Sequence, residues 1–146
     1  RIYFSKNIKI LDKESQINKL NDYYFEPNET TMLTEFSDEK IEYDNQATVE
    51  IIDWSSNRII FKTNAKSKQF LNISEIFYPN GWIINDNIKI YEVNSLIRGF
   101  FIDSGENMYT MEYKPKEINR GSLMSLISFL ILCSLIIAGI KNEDKK

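Results

Sequence analysis

Residues 47–63 read ATVEIIDWSSNRIIFKT, and this stretch decides the fold class. Two short runs rich in β-branched and aromatic residues, 47–54 and 58–63, flank the polar tripeptide at 55–57. Apolar runs of strand length that are separated by turn residues are typical of a β-hairpin. The stretch therefore predicts two neighbouring antiparallel strands.

Working outward from this hairpin, similar apolar runs recur about every 8 to 12 residues, which is typical of a β-sandwich. Further strands are predicted over residues 1–11, 30–36, 70–77, 82–84, 88–93, 96–102 and 108–114. Residues 12–22 instead predict a short N-terminal helix that Asp12 caps. The predicted fold class is all-β, an antiparallel β-sandwich with one short helix. Its predicted core residues are Val49, Ile51, Ile59, Phe61, Leu71, Ile73, Phe77, Trp82, Ile90, Phe100, Ile102 and Tyr113.

Residues 121–140 read GSLMSLISFLILCSLIIAGI and contain no charge. Twenty helical residues measure about 30 Å, which matches the hydrocarbon thickness of a bilayer. The stretch predicts a C-terminal transmembrane helix, whereas a helix buried in a protein core is the alternative. The predicted domains are a β-sandwich over 1–116, the membrane helix over 117–140 and a short tail over 141–146.

The predicted membrane helix also indicates partners. Gly121, Ser125, Ser128 and Gly139 fall on one narrow helical face, where small residues favour close approach of a neighbouring transmembrane helix. The alternative is that these residues are simply common in spanning segments. Three basic residues on each side of the helix leave its orientation undecided. Because the chain begins at Arg1 and shows no targeting segment, we expect it to be the C-terminal part of a longer polypeptide.

The composition excludes several kinds of site. A net charge of −3 provides no basic surface for nucleic acid, so nucleic acid is not an expected partner. The chain has no His, and its one Cys, Cys133, lies in the predicted membrane helix. Nucleophilic Cys/His pairs, Ser-His-Asp triads and zinc sites of the usual type are therefore not predicted. We expect no cofactor, no metal site and no catalytic residue in this chain.

Five carboxylates that could act as an acid or base are scattered over turns and strands and form no recognisable catalytic pair: Glu26, Glu35, Asp53, Glu75 and Asp103. The acidic residues at 35–44 could attract a divalent cation, but they lack the spacing of a calcium loop, and an exposed charged loop is the preferred interpretation. These residues are Glu35, Asp38, Glu39, Glu42 and Asp44.

Tyr78, Trp82 and Arg98 are the candidate ligand-binding residues. Exposed Tyr and Trp rings beside a guanidinium could stack on and hydrogen-bond a sugar or a polymer chain. The alternative is structural: the turn at 78–81 kinks the chain, Trp82 fills the core, and Arg98 buries its stem against an aromatic ring. The residue types alone favour the structural interpretation.

The sequence around these residues resembles the C-terminal region of the YfhO family of bacterial membrane proteins. The resemblance rests on Tyr-Pro-Asn-Gly-Trp at 78–82, Asn-Asp-Asn at 85–87, Leu-Ile-Arg-Gly at 96–99, Asp-Ser-Gly-Glu at 103–106 and Met-Glu-Tyr-Lys-Pro at 111–115, and upstream on Phe-Glu-Pro at 25–27. Asn80 is an insertion relative to the family's Tyr-Pro-Gly-Trp turn, and Asn87 replaces the glycine of its Asp-Gly turn.

The resemblance implies a multi-pass protein of the glycosyltransferase-C type, which adds sugars to cell-surface polymers from lipid-linked donors. Its catalytic carboxylate is expected in an early loop outside this chain, so the chain would be a non-catalytic extracytoplasmic domain with the last helix of a bacterial cytoplasmic-membrane protein. The resemblance also implies that the tail over 141–146 is cytoplasmic. A membrane-anchored carbohydrate-binding or adhesion module is one alternative, and a purely structural domain is another.

Overall fold

The computed structural model describes residues 1–85 and 88–143. For 116–120 and 136–143 it describes the backbone only. The chain is mostly β, with strands in two sheets and two helices. The strands are β1 Ile2–Phe4, β2 Asn7–Ile10, β3 Thr30–Leu33, β4 Thr48–Trp54, β5 Arg58–Ala65, β6 Gln69–Ile76, β7 Trp82–Ile84, β8 Tyr91–Val93, β9 Ile97–Ile102 and β10 Gly105–Tyr113. The helices are α1 Lys13–Leu20 and α2 Lys116–Glu143. The prediction of a β-sandwich is confirmed at this level.

Sheet B is antiparallel and has the strand order β4-β5-β10-β7. The hairpin that the opening stretch predicted forms its β4 and β5, which pair from Thr48↔Asn64 to Trp54↔Ile59. Along β5, Ile59, Phe61 and Thr63 are buried at every second position, because alternate side chains of a strand point to the same face. That face packs toward sheet A.

Sheet A has six strands in the order β1-β6-β9-β8-β3-β2, and it curls strongly. Only Ser5 and Lys6 separate β1 from β2, although these strands lie at opposite ends of that order. Three residue steps reach at most about 11 Å, whereas six strands of a flat sheet span about 24 Å. The Ser5 amide donates to the Phe70 carbonyl at 3.0 Å and the Asn7 amide to the Glu29 carbonyl at 3.0 Å. The two edges of sheet A therefore meet at this short connection.

The prediction of a wholly antiparallel sandwich is wrong at one strand pair. Strands β2 and β3 are parallel, from Asn7↔Thr30 to Ile10↔Leu33, so sheet A is mixed. Helix α1 lies between them in the chain, and its N-cap Asp12 accepts from the Ser15 amide at 2.9 Å. A helical crossover returns the chain to the starting end of the first strand, so the next strand runs in the same direction.

The main apolar core lies between the two sheets. Of the twelve predicted core residues, six are fully buried there: Ile59, Phe61, Leu71, Ile73, Phe100 and Ile102. Val49, Trp82 and Ile90 pack against this core while remaining partly exposed. Ile51 was predicted wrongly, because the edge strand β4 leaves it 43% exposed. Ile84, Tyr109 and Met111 are buried core residues that the sequence analysis did not name.

A second, smaller apolar cluster lies on the other, concave face of sheet A. Leu33, Phe70 and Val93 form its buried part. The Asn72 amide nitrogen donates to Thr31 Oγ1 at 2.9 Å, and both side chains are fully buried. This side-chain bond joins β3 to β6, two strands that would lie far apart in a flat sheet. It therefore supports the closed curl.

The chain divides into two compact units, Arg1–Lys114 and Pro115–Lys146. The second unit contains α2, a continuous helix of 28 residues. Its side chains are described over 121–135, where the large apolar residues from Leu123 to Leu135 are exposed. Within the described part of the chain, the search for a helix with the length and hydropathy of a membrane span finds none.

Candidate functional site

A row of three aromatic rings lies at one end of sheet B. Trp82 on β7 is the register partner of Tyr113 on β10, which places their ring centroids 5.3 Å apart. Tyr78, in the segment before β7, lies with its ring centroid 6.1 Å from that of Tyr113. Tyr78 is 52% exposed, whereas Trp82 is half-buried. The row thus runs from the apolar core to the surface.

Arg98 contacts this row from the opposite sheet. It lies on the same face of β9 as Phe100 and Ile102, and its Cζ is 4.1 Å from the centroid of the Trp82 ring. A guanidinium over an indole face is attracted by the ring quadrupole. Arg98 is only 2% exposed, so its contact with Trp82 ties sheet A to sheet B.

Glu75 supplies the counter-charge for Arg98. Arg98 Nη2 donates to Glu75 Oε2 at 2.5 Å, and the Glu75 side chain keeps 34% of its surface in solvent. Glu75 lies where the pairing of β6 with β9 shifts between Ile73 and Ile76, and such bulges re-aim side chains. Burial lowers the pKa of the Arg98 guanidinium, and Glu75 opposes that shift. Arg98 Nε is buried and has no partner among the described atoms.

The exposed end of the row borders a shallow groove of about 220 Å³. Its described lining is aromatic and aliphatic: Phe77, Tyr78, Pro79, Trp82, Ile83, Ile88 and Ile90. A surface of this composition offers flat apolar faces with the Tyr hydroxyl and Trp N–H as polar groups, which suits stacking on a sugar ring. Of the three predicted site residues, Tyr78 and Trp82 line the groove, and Arg98 lies against the Trp82 ring.

The turn that carries Tyr78 depends on Gly81. Gly81 has φ +121°, a conformation that side chains with a Cβ rarely adopt, and its carbonyl accepts from the Lys114 amide at 2.5 Å. This bond fixes the turn against the end of β10. Asn80 lies in the same turn, directly before Gly81. The second turn of the resemblance, at 85–87, lies largely outside the described residues.

Two other carboxylates that the sequence analysis weighed, Asp53 and Glu26, do not line this groove. Among residues 1–85 and 88–143, no three His, Cys, Asp or Glu side chains come together as a metal site. Asp53 pairs with Arg58 through Oδ2 and Nη2 at 2.9 Å. Glu26 lines a separate cavity beside α1, together with Lys9 and Tyr24.

Sequence reasoning did not assign Tyr113 and Glu75 to the site. Tyr113 was named as a core residue, but its place between Tyr78 and Trp82 follows from the strand register, which no sequence pattern specified. Glu75 was one of several scattered carboxylates, and only the bulge in β6 brings it to Arg98. The available sequence signal was Arg98 itself, because an arginine within a buried strand indicates an acidic partner.

The fold and the groove define a two-sheet β-protein with an aromatic surface groove. Comparisons with protein-family models, curated proteins and solved structures find no match to this chain. The function is therefore argued from the site.

Proposed function

We propose that this chain is the C-terminal accessory domain and last membrane helix of a YfhO-like multi-pass membrane protein, and that its aromatic groove binds glycan. The β-domain then positions an acceptor polymer on the extracytoplasmic side of a bacterial cytoplasmic membrane, while the catalytic residues for transfer from a lipid-linked sugar donor lie elsewhere in the protein. The observation that carries the proposal is the ring row formed by Tyr78, Tyr113 and Trp82, of which the exposed Tyr78 and the half-buried Trp82 line the groove.

The geometry of the row favours a sugar ring as ligand. Tyr78 presents about half of its surface beside the apolar groove, and the Trp82 ring is held between cross-strand and cross-sheet partners. A ring that is already fixed loses little side-chain entropy when a ligand stacks on it. Such a surface binds single sugar units weakly and gains strength from repeated units of a polymer.

Arg98 has a positioning role in this proposal. With 2% exposure and a bond to Glu75, its guanidinium is occupied within the protein. Its stem and charge hold the Trp82 ring at the groove, so a ligand contacts Tyr78 and Trp82 and not Arg98 itself.

The membrane part of the proposal rests on the uncharged sequence at 121–140 and on the apolar side chains exposed along the described part of α2. Nine large apolar side chains between 123 and 135 point into solvent in the isolated chain. Lipid or neighbouring apolar helices would remove that surface from water.

The test is a glycan array probed with the full chain in detergent micelles. We expect binding to surface-polymer glycans that Tyr78→Ala weakens at least several-fold. Tyr24→Ala is the matched control, because Tyr24 is 85% exposed and lies outside the groove. Equal binding by wild type and Tyr78→Ala would refute the assignment of the groove.

A purely structural role is the second candidate, and the burial of Arg98 against Trp82 favours it. It predicts that Tyr78→Ala leaves surface-polymer glycosylation unchanged and that Arg98→Ala acts only through stability. An adhesion module on a single anchor is distinguished by the upstream reading frame, where a transferase requires many hydrophobic spans and an adhesin further strands.

A further inference from the structure

The acidic residues at 35–44 form a strap, which we call the acidic strap. It leaves the end of β3 and reaches the turn before β4 without forming a helix or a strand. Side-chain contacts hold the C-terminal half of the acidic strap in place. The Asp44 carboxylate accepts from the Lys66 amide at 2.8 Å, and Gln69 Nε2 donates to the Glu42 carbonyl at 2.6 Å. Ile41 packs on the apolar cluster of sheet A.

The N-terminal half of the strap is held by two lysines from elsewhere in the fold. Lys68, just before β6, lies with Nζ 2.7 Å from Glu39 Oε2. Lys89, just before β8, pairs with Glu35. These acidic partners raise the pKa of both lysines, chiefly because Glu39 and Glu35 accept hydrogen bonds from the ammonium groups. Both ammonium groups are thus neutralised by carboxylates of a single irregular segment.

The two lysines share a cavity. It measures about 280 Å³, and its lining includes Lys68, Lys89, Tyr91, Phe101, Asp103 and Glu39 of the strap. Lys89 Nζ lies 4.6 Å from the centroid of the Tyr91 ring, which forms one wall. Asp103 Oδ1 is 3.5 Å from Lys68 Nζ. If the strap carboxylates moved away, the described lining would contain two lysines and one acidic residue, Asp103, and would carry a net positive charge.

We propose that Lys68 and Lys89 form a binding site for a phosphate monoester and that two carboxylates of the acidic strap act as internal competitors: Glu39, which lines the cavity, and Glu35, which pairs with Lys89. Lysine binds phosphate as a point charge. A phosphate monoester carries about −1.5 to −2 at pH 7, more than either carboxylate, and can displace them. The ligand enters as the N-terminal half of the strap swings away while Ile41 and Asp44 keep the other half in place. The phosphate is either a small soluble ester or a lipid headgroup.

The test is a titration of the full chain in detergent micelles with inorganic phosphate, followed by calorimetry and by the amide NMR signals of residues 68 and 89. Glu35→Gln/Glu39→Gln removes the competitors, and we expect it to bind phosphate about two- to thirtyfold tighter than wild type, because each exposed ion pair is weak. Lys68→Ala/Lys89→Ala should abolish binding. A second arm compares micelles that contain phosphatidic acid with micelles that contain phosphatidylcholine.

The matched control is Glu29→Gln/Glu106→Gln, which makes the same change in net charge. It breaks two other lysine pairs, with Lys6 and Lys62, neither of which lines this cavity. We expect this control to bind phosphate as wild type does. If the double variant of the strap does not fold, Glu39→Gln is compared with Glu106→Gln in the same way.

Binding that requires both lysines and strengthens only when the strap carboxylates are removed supports the proposal. In the second arm, lysine-dependent binding of phosphatidic acid alone assigns the ligand to a lipid headgroup. The proposal is overturned if strap and control variants bind equally, if binding survives Lys68→Ala/Lys89→Ala, or if neither phosphate source binds any variant.

Discussion

Replacing Arg98 separates the contribution of its stem from that of its charge. Arg98→Ala removes two methylenes of a nearly fully buried stem, Cγ and Cδ, each worth about 0.8 kcal/mol. It also removes the contact with Trp82, worth about 0.5–2 kcal/mol. Against these losses, it relieves the buried unpartnered Nε, which costs about 1–3 kcal/mol. Glu75 is already partly solvated and loses little. We expect a net loss of about 1 kcal/mol in the free energy of unfolding.

Arg98→Met is the comparison variant, because it keeps most of the stem and removes the charge together with Nε. We expect it to leave the free energy of unfolding nearly unchanged, since exchanging a buried charge for an apolar side chain of similar volume is often neutral. The assay is urea unfolding of the full chain in detergent, followed by tryptophan fluorescence. If Arg98→Met destabilises as much as Arg98→Ala, the ion pair and not the stem holds this end of the sandwich, and the reasoning fails.

Three further predictions concern the β-domain. Gly99→Ala should cost about 1–3 kcal/mol in thermal unfolding, because a Cβ at this position would lie 2.5 Å from Phe70 Cε1; an unchanged melting temperature would contradict the packing of the concave face. Asn94→Ala should cost about 1–3 kcal/mol by losing the acceptor for the Met32 amide at 2.9 Å, whereas Asn94→Asp should retain most of the stability. Backbone hydrogen bonds, from Lys66 first, lower the pKa of Asp44, so its stabilising effect is present above about pH 4 and is lost as the pH falls through the lowered pKa. The Asp44→Asn variant should therefore not show this loss of stability in an acid titration. Identical acid-unfolding profiles of the variant and the wild type would refute the prediction.

The strands of sheet B could be predicted closely because each carries its own signal. The turn residues at 55–57 lie between two β-branched runs, and strands β4 and β5 formed on either side of them. Local patterns of this kind specify strands and turns but not the partner of each strand. The buried residues of β6 and β9 were predicted for the same reason. The local pattern did not predict that β4 is an edge strand, which leaves Ile51 exposed.

The curl of sheet A depends on long-range pairing that the local pattern does not encode. Residues 1–11 read as one strand, yet the chain uses them for two, β1 and β2, with different partners. The predicted helix between β2 and β3 was the available signal for a parallel pair, because a crossover of that length suits parallel neighbours. In the site, the residue types made Tyr78 and Trp82 candidates, but the contact of Arg98 with Trp82 across the sheets required the register.

The most direct test of the central claim is the fluorescence of Trp82 during titration with a glycan. Trp54→Phe leaves Trp82 as the sole tryptophan of the full chain, and Trp82 lines the proposed groove. The account predicts that a glycan ligand shifts the emission of Trp82 to shorter wavelength and protects it from a soluble quencher, and that Tyr78→Ala weakens both effects. Glycan binding that leaves the Trp82 signal unchanged, or that Tyr78→Ala does not affect, would contradict the claim.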